Sequence, residues 1–121
     1  MPTETLGARA KNFLLGDLGQ ISYDDGIVAS GNNLEAGTVL GQITTGGKLK
    51  AYTPGASDGT QNAYGVLTEN VDATSADQKC VAVTRLAEIQ INLLKWGAAV
   101  TTDPHKTTAY TALAAKNIIA R

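Results

Sequence analysis

The sequence predicts a small, compact, mostly β domain of the α+β class, with one C-terminal helix and an extended N-terminal arm. Three observations carry this. Short β-forming runs separated by turns bearing Gly, Asn and Asp recur from residue 27 to residue 94. A helical pattern with start and stop signals occurs once, at residues 102–116. Residues 1–24 show no sustained period, and Pro2, Gly7, Gly16 and Gly19 break them up. The chain therefore divides into an arm, 1–24, and a β-rich domain, 25–121.

The centre of the domain is the stretch 39–67, VLGQITTGGKLKAYTPGASDGTQNAYGVL. Runs at 38–44 and 48–52 flank Gly46-Gly47, a pair that supplies the positive φ of a tight hairpin. A polar loop, 53–62, carries Pro54-Gly55 and Asp58-Gly59, and a third run follows at 63–67, so a β-meander is expected. Upstream, Asp24-Asp25-Gly26 reads as a turn leading to Ile27-Val28-Ala29, and Gly31-Asn32-Asn33 as another. Downstream, 70–77 reads as a polar loop closed by Asx-type bonds from Asp72 or Asp77.

Residues 79–94 form the longest β-like segment. Val81, Val83, Ile89, Ile91 and Leu93 share one parity, and Cys80, Thr84, Glu88, Gln90 and Asn92 the other, the alternation of a half-buried strand or strand pair. Arg85 falls on the apolar parity. It either snorkels, turns outward at a bend near 86–88, or makes an ion pair between subunits. Trp96, beside Gly97, suits a packing anchor at the edge of the core or an interface residue. In the helix, Thr102 or Asp103 can cap and Pro104 fits the first turn. Ala109, Ala112, Leu113 and Lys116 suit a small amphipathic face. Asn117 can take the left-handed conformation that stops the helix, and Ile118-Ile119 then reads as a final strand.

A chain of 121 residues suits one domain. Much of its 43% apolar content is Ala and only six residues are aromatic, so the core gains little per residue and assembly would add stability. The net charge is −1 with no Lys/Arg run, which argues against nucleic-acid binding by phosphate neutralisation. No apolar run approaches the roughly 20 residues of a membrane span. The start of the chain lacks the apolar core of a signal peptide, and Cys80, the single cysteine, has no disulfide partner within the chain. These features suit a protein made in a reducing cytoplasm.

Chemistry is sparse. His105, the one histidine, lies in the first helical turn with nothing placing it beside Cys80 or a Ser as a nucleophile–base pair. HExxH, CxxC and the GxxxxGK[ST] loop are missing, and Asp24-Asp25 lack the rest of a calcium loop. Gly46-Gly47-Lys48 is a hairpin turn rather than a phosphate cradle. No catalytic residue, metal site or cofactor is expected. A carrier or carbohydrate-binding β-module is the alternative reading. A carrier barrel places its Lys at an exposed hairpin tip beside Met, and Met1 is the only methionine; a sugar-binding face wants several exposed aromatics. A small hydrolase lacks its nucleophile–base pair.

The order of the pieces carries more than any one of them. Val39-Leu40-Gly41-x-Ile43-Thr44, Gly47-Lys48-x-x-Ala51-Tyr52 and Ala56-x-Asp58-Gly59-x-Gln61-x-Ala63-x-Gly65-Val66-Leu67 are followed by Val71-Asp72-Ala73-Thr74. Then come Val81 to Glu88, Leu93-Leu94-Lys95-Trp96 and the Ile118-Ile119-Ala120-Arg121 end. This series, over roughly residues 37–121, resembles the head decoration proteins of tailed phages, the lambda D type. Gly97 stands where that pattern often has Pro, and Asn117 where it often has Gly; both keep a residue that tolerates a turn.

The resemblance implies a structural protein that sits as a homotrimer on the outer surface of an expanded head and clamps neighbouring subunits of the major capsid protein. It implies an N-terminal segment that orders on the shell and adds to capsid β-structure. On this reading Phe13, Leu14, Leu15 and Asp17 contact the capsid, although the apolar three could equally pack on the domain's own core. Arg85 and Trp96 are candidates for the subunit interface. The expected location is the virion surface after synthesis in the host bacterial cytoplasm, with no nucleic acid, membrane or small-molecule partner.

Overall fold

The computed structural model describes residues 14–16 and 22–121. Its centre is a closed barrel of five strands in the order β2-β5-β4-β6-β8. In chain order the strands are β1 (Leu14–Gly16), β2 (Tyr23–Val28), β3 (Asn32–Leu34), β4 (Val39–Gln42), β5 (Leu49–Ala51), β6 (Ala63–Leu67), β7 (Val71–Ala73), β8 (Gln78–Val83), β9 (Ala87–Ile89) and β10 (Ile118–Ala120). Helix α1 (Asp103–Ala114) lies between β9 and β10 in sequence. A two-stranded sheet, β3-β7, and a three-stranded sheet, β1-β9-β10, flank the barrel.

The expected hairpin is present. β4 and β5 pair antiparallel, Leu40 opposite Ala51 and Gln42 opposite Leu49. Gly46 and Gly47 take φ of 90° and 76° in the turn. The stretch is not a meander, however. β6 pairs with β4, Val39 opposite Val66, instead of following β5. The 53–62 loop carries the chain across the hairpin, which puts β4 in the middle and frees β5 to close the barrel on β2 through Val28 opposite Leu49.

The barrel interior holds Val28, Leu40, Leu49, Leu67, Cys80 and Ala82, at least one from each of the five strands. A second cluster joins the outside of β4, β6 and β8 to the helix and the β9-β10 sheet through Val39, Val66, Val83, Ile89, Leu113 and Ile118. Neighbouring residues in one strand, such as Val39 and Leu40, or Ala82 and Val83, thus feed different cores. Simple alternation mis-assigns β8 for this reason. Thr84, expected on the polar face, is buried, and so is Cys80, which shares that parity but suits a small core residue, whereas Val81 is only half-buried. The segment is a strand pair broken at Leu86, whose φ of 55° is left-handed; beyond the break Ile89 is buried as expected, but the strand ends there, and Ile91–Leu93, expected to continue it, form a 3-10 turn with no buried residue.

Two expected turns are strands. Asp24-Asp25-Gly26 lies inside β2, opposite Ala82, Val81 and Cys80. Gly26 is there for space, since a Cβ would sit 2.8 Å from Leu49 Cδ1 in the interior. β2 also begins at Tyr23, two residues before the expected domain boundary. After the turn at Gly31, Asn32 and Asn33 pair with Ala73 and Asp72, so β3 and β7 take up residues expected in loops. The helix runs within its expected bounds, with Pro104 in its first turn. Ala109 and Leu113 are buried. Asn117, at φ 62°, ends it, and β10 follows, parallel to β9.

Of the two residues that could close the 70–77 loop with Asx-type bonds, Asp72 does so. Asp72 Oδ1 accepts from the Thr74 hydroxyl at 2.5 Å. Asp77 Oδ1 instead accepts from the Ser30 amide at 2.8 Å, tying the loop to the end of β2. In the 53–62 loop, Asp58 Oδ1 accepts from the Thr60 amide at 3.1 Å and its hydroxyl at 2.6 Å. These bonds to Thr60, helped by Lys50, hold the Asp58 carboxyl at about 2, below its ordinary 3.8. Thr74 lowers Asp72 likewise, and Lys48 with the Ser30 amide lowers Asp77. A carboxylate with a lowered folded-state pKa contributes stability above its unfolded value and loses that contribution as pH falls through the folded value. The melting temperature is therefore expected to fall between about pH 4 and pH 2. Asp58→Asn should melt lower at neutral pH and decline less steeply in acid. An equally steep decline in that variant would remove Asp58 from the account.

Candidate functional site

Four surfaces bear candidate residues. The first is the edge of the β1-β9-β10 sheet. β1 pairs antiparallel with β9, Leu14 opposite Ile89 and Gly16 opposite Glu88, with a register shift between them. Leu14 and Leu15 thus belong to a short strand laid on the body. Phe13 and Asp17 lie outside the described residues.

The second surface is where the chain enters the barrel. The Thr84 amide donates to the Ser22 carbonyl at 2.9 Å, and the Ser22 hydroxyl donates to the Leu86 carbonyl at 3.0 Å. Arg85 turns outward at the bend, as one of the sequence alternatives had it, and its guanidinium pairs with Asp24 of the same chain. Asp24 Oδ2 also accepts from the Thr84 hydroxyl at 3.0 Å. Both partners of the ion pair stay 41% exposed, so solvent screens it.

Beside this pair the barrel mouth opens into a hollow of about 350 Å³, lined by Gln42, Thr44, Gly59, Asn62, Ala63, Tyr64 and Lys116. Tyr64 is the extra residue of a β-bulge: Leu40 faces Gly65 and Gly41 faces Ala63, leaving Tyr64 without a position opposite. Bulges re-aim side chains in this way. Lys116 Nζ lies 4.5 Å from the centre of the Tyr64 ring. Burial, then the nearby Arg85 charge, push the Lys116 ammonium below its ordinary value, with Asp24 partly opposing them.

Trp96 anchors the third surface. It makes edge contacts with Tyr52 at 6.4 Å and Tyr110 at 5.7 Å between ring centres. Lys106 Nζ sits 5.7 Å from the ring centre. The packing-anchor reading describes these contacts, which join the barrel to α1. The fourth surface, on the outer face of β2 and β8, is an open hollow of about 500 Å³ lined by Asp25, Ile27, Glu69, Lys79 and Val81 among others. Cys80 borders it, but burial pushes its thiol above its ordinary value, away from a reactive thiolate.

Among the described residues these surfaces hold salt bridges and packed aromatics rather than a nucleophile beside a base. Lys48, at the hairpin turn where a carrier would display its lysine, pairs with Asp77 at 2.6 Å. Among the described residues no cluster of His, Cys, Asp or Glu could hold a metal ion, and no helix is long and apolar enough to cross a membrane. Sequence reasoning missed Asp24 as the partner of Arg85, and Tyr64 with Lys116. Only the lone Arg85 on an apolar parity hinted at any of them.

The model of one protein family, the bacteriophage lambda head decoration protein D, matches residues 2–118. The chain belongs to this family. It is therefore a capsid decoration protein, a structural component of the phage head, and its place is on the virion. The match takes in residues 2–24 as well as the barrel. No curated protein matches the chain.

Proposed function

We propose that this decoration protein binds the outer surface of the head as a homotrimer and clamps neighbouring subunits of the major capsid protein. Residues 1–24 serve as the capsid-binding arm and 25–121 as the body. The protein is made in the host bacterial cytoplasm and joins the head from there. The observation that carries the reading is the family match running through the arm. The β1 strand supports it, because residues 14–16 already take extended form at a sheet edge, the geometry that strand addition uses. Phe13, Leu14, Leu15 and Asp17 make the capsid contact. Arg85, still partly exposed beside Asp24, and the outer edge of Trp96 lie at the contact between copies.

A protein that binds only the assembled shell stabilises it by linkage. Heads saturated with this protein should withstand a higher temperature than bare heads, and the free protein should sediment as a trimer at micromolar concentration. Equal disruption temperatures at full occupancy would overturn the clamp, and a monomer in the ultracentrifuge would overturn the trimer.

A further inference from the structure

One wall of the barrel is left bare. The outer faces of β2 and β8 carry Asp25 opposite Val81 and Ile27 opposite Lys79. At the Val83 end the helix layer covers this wall, but Ile27 and Val81 belong to neither buried cluster. Ile27 is 42% exposed, unusual for a large apolar side chain in this domain. It borders the open hollow of about 500 Å³, which Glu69 completes from the turn between β6 and β7. Among the described residues Asp25, Glu69 and Lys79 have no ion-pair partner. Both carboxylates reach the same spot: after burial, Glu69 and then Asp25 push the Cys80 thiol up. Set against the single ammonium of Lys79, they leave the hollow one surplus negative charge. An apolar wall with that surplus is matched by a cation carried on an apolar group.

The chain itself carries such a group. Lys106 lies over the Trp96 ring and has no carboxylate within ion-pair distance among the described residues. Both side chains are only half-buried. Outside the β2–β8 hollow, the other basic side chains among the described residues pair within the chain or, like Lys116, line a hollow of their own, and one hollow does not fill another. The two patches share no residue, so a contact between them is head-to-tail. Every copy offers both halves, and such contacts build rings when the rotation closes. We propose that the β2–β8 hollow receives the Lys106–Trp96 corner of a second copy of this chain, with the ammonium between Asp25 and Glu69 and the indole edge on Ile27. The inference rests on the trimer reading above and names the two faces that make the trimer.

Exchanging the charges tests it. Glu69→Lys, at an exposed position, and Lys106→Glu, in the first turn of α1, should each weaken the association of copies by about tenfold or more in sedimentation equilibrium, because like charges then face each other. The double variant restores opposite signs and should recover the association to within about threefold of the unaltered protein. Circular dichroism should stay unchanged throughout, since neither side chain is buried. Single variants that associate as tightly as the unaltered protein would overturn the pairing and leave the trimer standing. Weakening without recovery in the double variant would overturn it as well. Single variants that stay trimeric but no longer co-sediment with heads would give the hollow to the capsid and overturn the contact between copies. A monomeric unaltered protein would overturn the trimer reading, and the pairing with it.

Discussion

Deletion of residues 1–15 is expected to abolish attachment to heads while leaving the body folded and trimeric. The body does not depend on the deleted residues for its closure. All five barrel strands lie between Tyr23 and Val83, and β9 keeps its parallel partner, Ile118 opposite Ala87 and Ala120 opposite Ile89. What is lost is the apolar patch Phe13-Leu14-Leu15. Each such side chain contributes roughly 1.5–3 kcal/mol when fully buried against a partner. On the proposed trimer three arms would multiply the loss, because tethered docking raises avidity by about 10²–10⁴ over a single contact. Binding should therefore fall below detection in co-sedimentation rather than merely weaken. The Phe13→Ala, Leu14→Ala double variant should give a milder loss at unchanged melting temperature. A truncated trimer that saturates heads with undiminished affinity would move the anchor to the folded body.

Gly41→Ala is expected to destabilise the barrel strongly for a single added methyl group. Gly41 sits in β4, the middle strand, paired with Lys50 on one side and Ala63 on the other. A Cβ there would lie 2.6 Å from the Thr60 carbonyl oxygen and 2.7 Å from its Cα. The obstacle is backbone, so no rotamer change relieves it. Nor can the loop easily give way: Thr60 is fully buried, its amide and hydroxyl bond to Asp58, and its carbonyl accepts from the Thr53 amide at 2.8 Å. Overpacking against a pinned backbone should cost about 3 kcal/mol. For a domain of this size that lowers the melting temperature by about 10 °C. A change under about 2 °C would show that the loop moves aside freely.

Wherever a feature is decided by neighbouring residues, the sequence alone was enough. Gly46-Gly47 can make a tight turn whatever surrounds it, so the β4–β5 hairpin was legible. So were the helix opened by Pro104 and stopped by Asn117, the strand after it, and the Asx turn at Asp72. The ordered series of motifs was legible as a decoration protein because it records the whole fold at once, as the match over residues 2–118 bears out. Contacts between distant segments were not legible. That β6 crosses to the far side of β4 depends on which pairing closes a barrel, and no local propensity encodes it. Asp24-Asp25-Gly26 has the composition of a turn, yet it is strand because Leu49 needs the space above Gly26 and β8 supplies the hydrogen bonds. The alternation in 79–94 assumed one wet face. The helix layer covers part of the other face of β8, burying Val83 as well as Cys80, and only packing could determine that. The barrel mouth is the extreme case. Asp24, Tyr64, Arg85 and Lys116 are scattered along the chain, and a bulge, a bend at Leu86 and the end of a helix bring them together. Their shared charge is a property of the tertiary structure, because electrostatic interaction depends on distance in space rather than along the sequence.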